Sequence, residues 1–210
     1  METQKGIFMQ VISVFSQKGG CGKSMLTVHL AVQAQLSGHR VVVLDTDDQG
    51  SAAKWFDVRA VNWPVAVRVP AGSLDRAVAG AHADGYDYVL IDSPPHSAPL
   101  AARVVGVADL VVIPVKPEPF DWLVIADTVK LVGDKKSVFV LSDCPQRAPE
   151  IAETRDYLAQ FNRPVLGPIH NWRSMYRALK TGSAISESDP GSNAAQEIKT
   201  LFEAIQREVE

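Results

Sequence analysis

Apolar residues along this chain fall into two kinds of segment. Short continuous runs, rich in Val and Ile, predict strands buried on both faces, whereas longer segments with apolar residues three and four apart predict helices. The predicted strands are residues 7–16, 40–44, 65–69, 86–91, 110–115, 137–141 and 165–169. The predicted helices are residues 25–36, 52–58, 74–83, 98–108, 122–132, 151–161, 172–179 and 194–209.

The alternation of strands and helices predicts the fold class. Such units join parallel strands through right-handed crossovers, so we expect an α/β fold with a mostly parallel twisted sheet and helices on both faces. The length of 210 residues favours a single domain over residues 1–210. The last helix has one apolar face and several glutamates elsewhere, so we expect it to pack on the domain and not on a membrane.

A glycine-rich segment joins the first predicted strand to the first predicted helix. Residues 17–24 read Q-K-G-G-C-G-K-S. Glycines let successive backbone N–H groups curl around an anion, and the helix N-terminus adds partial positive charge. Lys23 can reach the β- and γ-phosphates of a nucleotide, and the Ser24 hydroxyl can bind Mg²⁺. The segment therefore predicts a phosphate-binding loop, and the fold prediction becomes a three-layer P-loop NTPase fold.

Carboxylates follow two of the buried strands, where ligands bind open α/β sheets. Asp92 ends an apolar strand, which predicts a Mg²⁺-binding carboxylate or, alternatively, a helix cap. Asp45 and Asp47 follow the second strand, either as part of the nucleotide site or as an Asx turn with solvated carboxylates.

Composition narrows the classes of function. The net charge of −3 excludes a strongly basic nucleic-acid protein but permits a local basic patch. Two cysteines, Cys21 and Cys144, cannot form a metal site alone, and a reducing compartment suits a thiol in a phosphate loop. No apolar run approaches the ~18 residues that a membrane span needs.

The loop departs from the ordinary P-loop pattern, because Gln17 stands where glycine is usual and Lys18 adds a second lysine. This K-G-G-x-G-K-S string resembles the deviant Walker A loop of the ParA/MinD family of ATPases. The D-x-D-x-Q-G segment at 45–50 and the D-x-P-P segment at 92–95 resemble the same family. The resemblance runs from about residue 10 to the C-terminus and looks most like the small ParA (ParF-like) proteins of plasmid partition.

The resemblance implies an ATP and Mg²⁺ site with assigned residues. Nucleotide contacts would come from Lys18, Gly19, Gly20, Cys21, Gly22, Lys23, Ser24 and Met25. Ser24, Asp45 and Asp92 would lie at the metal. Lys18, Lys23 and Asp47 would be catalytic: Lys18 reaches across a dimer to the partner's nucleotide, and Asp47 positions or deprotonates the attacking water.

Two residues depart from the family pattern, and one loop has an open role. Met25 stands where threonine is common, and Asp48 replaces a proline. The proline-bearing segment 114–121 is expected to be a rigid extended connection. Two interpretations of its role are open: it contacts the nucleotide or a partner, or it is a stiff loop that caps the next helix.

A basic stripe predicts a second binding surface. Arg173, Arg177 and Lys180 recur at helical spacing, which suits either DNA phosphates or an ordinary solvated face. The resemblance favours DNA, and it implies an ATP-bound homodimer on non-specific nucleoid DNA in the cytoplasm, stimulated by a centromere-binding ParB-type adaptor protein.

Three other functions stay open from sequence. The same ATPase could position chemotaxis clusters or carboxysomes, or serve conjugative DNA processing. A metabolic P-loop enzyme of the dethiobiotin synthetase type would transfer phosphate to a small acceptor. An iron–sulfur scaffold or electron-transfer ATPase would need a cysteine pair in the later strands, where only Cys144 occurs.

Overall fold

The computed structural model describes residues 9–95 and 98–209, with no side-chain detail for Ala98 and Pro99. The strands are β1 Gln10–Val14, β2 Val41–Asp45, β3 Val65–Arg68, β4 Tyr88–Asp92, β5 Leu110–Val115, β6 Ser137–Leu141 and β7 Val165–Leu166. The helices are α1 Lys23–Leu36, α2 Ser51–Asp57, α3 Leu74–Ala83, α4 Ala98–Val107, α5 Pro119–Val132, α6 Glu150–Ala159, α7 Arg173–Lys180, α8 Ile185–Ser188 and α9 Asn193–Val209. A 3-10 turn, Ala71–Ser73, precedes α3.

The strands form one seven-stranded sheet in the order β3-β2-β4-β1-β5-β6-β7, and every pair is parallel. Strand β1 lies at the centre, between β4 and β5. The carboxyl ends of the strands therefore meet at one edge, and the loop after β1 stands in the middle of that edge. The predicted fold class is confirmed.

Alternate strand residues pack into three hydrophobic clusters, one on one face of the sheet and two on the other. Ile12 and Val14 pack with α1, α2, α7, α8 and α9, whereas Val11 packs with α3 and α4. Phe15 and alternate residues of β5 and β6 pack with α4, α5 and α6. Helix α1 is buried on nearly all sides, because the apolar face of α9 covers the side turned away from the sheet. The predicted packing of the last helix on the domain is confirmed.

Several predicted boundaries are wrong. Strand β7 ends at Leu166 and not at residue 169, because Gly167 follows with φ +89° and breaks the extended backbone. The segment 114–121 is not one extended connection: Pro114 belongs to β5, and Pro119 begins α5. Proline suits a first helical position because its missing N–H would have no helical partner there. Helix α8 and the 3-10 turn were not predicted.

Two further expectations concern the start of the first strand and membrane-spanning helices. The predicted first strand begins at residue 7, and residues 7 and 8 lie outside the described part. Among the described residues, no helix combines the length and hydrophobicity needed to cross a bilayer.

Candidate functional site

The loop between β1 and α1 presents a row of backbone donors. Gly20 and Gly22 have φ of +76° and +87°, so the chain turns tightly, and Gly22 caps α1. Among the hydrogen bonds of the described residues, none uses the N–H groups of residues 19–25 as donors, whereas the next N–H, that of Leu26, bonds the Gly22 carbonyl at 2.9 Å. Unpaired N–H groups at a helix N-terminus form an anion-binding nest.

Lys23 and Cys21 stabilise this loop from within. The Lys23 side chain is buried, and its Nζ donates to the Lys18 carbonyl oxygen at 2.8 Å. The buried Cys21 thiol donates to the same carbonyl at 3.3 Å. From the end of β6, the Ser142 hydroxyl donates to the Cys21 carbonyl at 3.0 Å and fastens the loop to the sheet edge. Ser142 was not singled out from sequence.

Lys18 does not point into solvent. Its ammonium is bound to the carboxylate of Asp121, in the first turn of α5, and lies 4.0 Å from Glu118. Asp121 is buried and also accepts the backbone N–H of Lys116 at 3.0 Å. The structure thus adds Asp121 to the candidate site. The sequence analysis placed Asp121 at the end of the 114–121 segment and before the predicted helix, so its place in the first turn of α5 was not expected.

Asp45 and Asp92 stand side by side, since they are register partners at the ends of β2 and β4. Both oxygens of Asp92 are buried without a hydrogen-bond partner among the described residues. Burial raises the pKa of Asp92 to about 7, helped by the Asp45 and Asp47 carboxylates and opposed by the Ser24 hydroxyl and the Lys23 ammonium. A buried carboxylate without donors, beside a hydroxyl and a second carboxylate, is a donor set that fits Mg²⁺.

The segment after β2 forms two successive Asx turns. Asp45 Oδ1 accepts the Asp47 N–H at 3.1 Å, and Asp47 Oδ1 accepts the Gln49 N–H at 2.9 Å. The other oxygen of Asp45 accepts the Ala53 N–H at 3.0 Å, inside α2. Burial raises the pKa of Asp45, and these backbone donors oppose the rise. Asp45 therefore fixes the position of the loop after β2 relative to the first turn of α2.

Asp47 lies on a cavity of about 410 Å³ between this loop and the D-x-P-P segment. Asp48, Pro95 and Arg103 line the same cavity. Asp47 is half-buried and Asp48 is exposed. Arg103 was not predicted as a site residue. Its place on α4 gave no local sequence signal, because the cavity is assembled from three distant segments.

The predicted site residues form one cluster and one separate surface. The loop, Asp45, Asp47 and Asp92 meet at the carboxyl edge of the sheet. Among the described residues, no group of three or more His, Cys, Asp or Glu side chains is placed to hold a metal, so the candidate Mg²⁺ site combines two carboxylates with the Ser24 hydroxyl. The stripe residues Arg173, Arg177 and Lys180 are all exposed on α7.

Tyr176 connects the helix of the basic stripe, α7, to the carboxyl edge of the sheet. Its hydroxyl donates to Asp143 Oδ1 at 3.0 Å, and Asp143 also pairs with Lys116 at 2.5 Å. Burial and the Asp143 carboxylate raise the pKa of Tyr176 to about 12. Lys116 follows β5 and precedes the helix that carries Asp121, so α7 is joined to the loop that faces Lys18.

Comparisons with known proteins give a matching family and similar proteins. The family described as "CobQ/CobB/MinD/ParA nucleotide binding domain" matches residues 12–210. The chain is 31% identical over 187 residues to "Maintenance of carboxysome distribution protein A" of Gloeobacter kilaueensis, covering 85% of this chain and 84% of that protein. It is 29% identical over 183 residues to "Protein ParA" of Rhizobium radiobacter, covering 81% and 82%.

Solved structures share the fold. MinD of Pyrococcus horikoshii, complexed with Mg-ADP, superimposes with a TM-score of 0.74 at 19% identity over 95% of this chain and 97% of that one. Apo McdA of Cyanthece superimposes with a TM-score of 0.77 at 15% identity over 97% and 100%. At these identities the similarity establishes the fold alone.

Proposed function

The chain belongs to the CobQ/CobB/MinD/ParA nucleotide-binding domain family, and from this premise we propose that it is an ATPase that works as a switch. With ATP and Mg²⁺ bound, it pairs with a second copy of itself, and the pair binds DNA without sequence preference. Hydrolysis, weak in the protein alone and stimulated by a partner protein, separates the pair and releases the DNA. The whole chain, residues 1–210, acts as one domain.

One observation carries the proposal: a row of unpaired N–H donors lies beside an unpaired buried carboxylate. The donors of residues 19–25 fit the phosphate groups of a nucleotide. Asp92 fits the cation that accompanies those phosphates, and Ser24 and Asp45 are its neighbours. A glycine-rich turn with a purely structural role would need neither group, because unpaired buried polar groups destabilise the folded state.

The roles of individual residues follow from their positions. Mg²⁺ would be held by Ser24, Asp45 and Asp92, and it would neutralise charge on the phosphates. Lys23, already directed over the loop, would shift its Nζ from the Lys18 carbonyl to the phosphates. Asp47, half-buried on its cavity, would orient the attacking water. Lys18 would leave Asp121 and act on the nucleotide of the second copy.

For the cargo we propose plasmid or chromosome segregation, with a centromere-binding adaptor of the ParB type and a cytoplasmic, nucleoid-associated site of action. The similarity to the ParA protein of Rhizobium radiobacter supports this assignment. A second candidate is the positioning of a protein compartment, which the similarity to the carboxysome distribution protein of Gloeobacter kilaueensis supports. Both use the same switch, and the adaptor decides between them.

The deciding experiment is binding to random-sequence duplex DNA, with ADP and with ATP and Mg²⁺, over a salt series. The proposal expects binding with ATP only, and affinity that falls steeply with salt because counterions are released from the phosphates. Turnover of ATP that depends on a small-molecule acceptor, with no DNA binding in either state, would instead support a metabolic phosphoryl transferase or ligase.

A further inference from the structure

A groove separates α2 from α7 next to the first turn of α1. Its cavity measures about 440 Å³. Lys54 lines it from α2, and Tyr176 and Lys180 line it from α7. Val28 and Trp55 contribute apolar side chains to the lining. The groove is therefore shared by a helix of the nucleotide site and by the helix of the basic stripe.

The charge of this groove is entirely positive among its described lining residues. Lys54 and Lys180 are both exposed, and neither makes an ion pair with a described residue. Among the residues that the structure describes, no Asp or Glu lines the groove. Lys180 is also the last member of the α7 stripe, so the groove continues the surface of Arg173 and Arg177. Cations spread over two helices suit an extended polyanion better than a single small anion.

We propose that Lys54 of α2 is a DNA-binding residue, and that Lys54 and Lys180 hold the phosphodiester backbone of duplex DNA in the groove between α2 and α7. This inference rests on the proposed DNA-binding function, which it extends from the α7 stripe to the helix that follows the D-x-D-x-Q-G segment. Phosphate contacts of this kind position a protein on DNA without reading its sequence.

The position of Lys54 depends on the nucleotide site. Its neighbour Ala53 donates its N–H to the buried Asp45 carboxylate at 3.0 Å. Asp45 in turn holds the Asp47 turn and stands beside Asp92. A rearrangement of these carboxylates around Mg²⁺ would therefore move α2, and Lys54 with it. The position of the groove relative to the loop between β1 and α1 would then differ between nucleotide states.

The far end of α2 is clamped to the segment that follows α7. Arg59, whose side chain is only 2% exposed, binds Glu187 of α8 through both terminal nitrogens, at 2.9 and 2.5 Å. It also donates to the Gly182 carbonyl at 2.8 Å, and its guanidinium lies 4.7 Å from the centre of the Trp55 ring. Trp55 donates to the Ser183 carbonyl at 3.1 Å. The two walls of the groove thus shift together and not independently.

The test measures the salt dependence of DNA binding for the full chain with ATP and Mg²⁺. Lys54→Gln should make the negative slope of log K against log salt less steep by about 1 and weaken binding several-fold, because one phosphate contact is lost. Val58→Lys adds a cation at an exposed position on the same groove and should make the slope steeper by about 1. Lys130→Gln, an exposed lysine of α5 on the opposite face of the sheet, is the matched control and should retain the wild-type slope.

The outcomes separate this inference from the proposed function. If the wild-type chain binds DNA with ATP but both groove variants retain its slope, the inference is overturned and the proposed function stands. If the wild-type chain binds no DNA in either nucleotide state, both fail. If Lys54→Gln weakens ATP binding while the DNA slope is unchanged, the groove serves the nucleotide and the inference is again overturned.

Discussion

Lys18 and Asp121 are bound to each other across 103 residues of the chain, from the phosphate loop to the first turn of α5. Asp121 is buried, and its carboxylate also accepts a hydrogen bond from the Lys116 N–H, so the carboxylate is fixed in place. In this arrangement the Lys18 ammonium is paired within its own chain. Lys18 can contact the nucleotide of a second copy of the chain only after this ion pair breaks.

Asp121→Asn should therefore strengthen ATP-dependent dimerisation. Asparagine can still accept the Lys116 N–H but no longer neutralises Lys18. We expect the dimer to form at about tenfold lower protein concentration, equivalent to ~1.4 kcal/mol. Sedimentation with ATP and Mg²⁺ measures this change. Glu118→Gln is the control, because Glu118 is exposed and 4.0 Å from Lys18, and it should shift dimerisation little. If Asp121→Asn weakens the dimer, the Lys18–Asp121 ion pair does not compete with dimerisation.

Lys18→Ala should retain ATP binding and lose ATP-dependent dimerisation. Its Nζ contacts Asp121 and not the loop, so nucleotide affinity in the monomer has little need of it. Lys23→Ala, which removes the side chain that closes over the loop, should instead abolish ATP binding itself. Fluorescent-nucleotide titration and sedimentation of both variants separate the two lysines. An ATP dimer of normal stability in Lys18→Ala would exclude the role of Lys18 in the second copy.

Asp47→Ala should trap the ATP-bound dimer. Asp47 is half-buried and lines the cavity of about 410 Å³. Without its carboxylate, the attacking water loses the group that positions it. We expect hydrolysis to slow on the order of 10²-fold or more, while ATP binding persists. Phosphate release and the lifetime of the dimer give the readout. Asp48→Ala alters the exposed neighbour and should behave nearly as wild type. If Asp47→Ala hydrolyses ATP at the wild-type rate, a group other than Asp47 positions the attacking water.

Replacing Arg173 and Arg177 by Glu should abolish DNA binding and spare dimerisation. Both side chains are exposed on α7, so reversal of their charge places two repulsive groups against phosphate without disturbing the core. Electrophoretic mobility shift with ATP and Mg²⁺ measures the loss, and Lys130→Glu on α5 serves as the control for net charge. Full retention of binding would move the DNA surface away from α7.

His29 should make the fold sensitive to mild acid. Burial lowers the pKa of His29 to about 4, although the Met175 backbone and Glu187 act in the opposite direction, and its Nδ1 accepts the Ile185 N–H at 3.2 Å. Below about pH 6.5 the unfolded chain takes up a proton that the folded chain excludes, so stability falls as the pH drops toward 4. The expected loss at pH 5 is about 2 kcal/mol.

Urea unfolding at several pH values tests this expectation. His29→Gln should be less stable than wild type near neutral pH but lose less stability between pH 7 and pH 5. His82→Gln, at an exposed position of α3, should keep the wild-type pH dependence. Parallel stability curves for wild type and His29→Gln would show that other groups cause the acid sensitivity.

Local patterns were sufficient for the fold and for the glycine turn that precedes α1. Continuous Val and Ile runs predicted β2 and β5 because strands covered on both faces need no polar side. The loop carries its own geometry in Gly20 and Gly22, so neighbouring residues were enough to predict it. The sequence also predicted that Asp45 and Asp92 lie in one site, because parallel strands end at a common edge.

Long-range contacts were not accessible in the same way. Asp121 binds a lysine that is distant in sequence, and its own neighbourhood shows only a helix start. Helix α8 is short, and its Glu187 depends on Arg59, a residue of another segment, so no local pattern predicted it. The groove between α2 and α7 likewise depends on how two helices pack, which hydrophobic spacing does not specify.

The burial of α1 under α9 has a consequence for synthesis of the protein. Helix α1 ends at Leu36, and the helix that covers it begins at Asn193, so a ribosome completes all seven strands of the sheet before the cover exists. Until then the apolar side of α1 that α9 will occupy is open to water or to other chains. The nucleotide site stands at the first turn of this same helix. We therefore expect the growing chain to gain firm ATP binding only after α9 has left the ribosome exit tunnel.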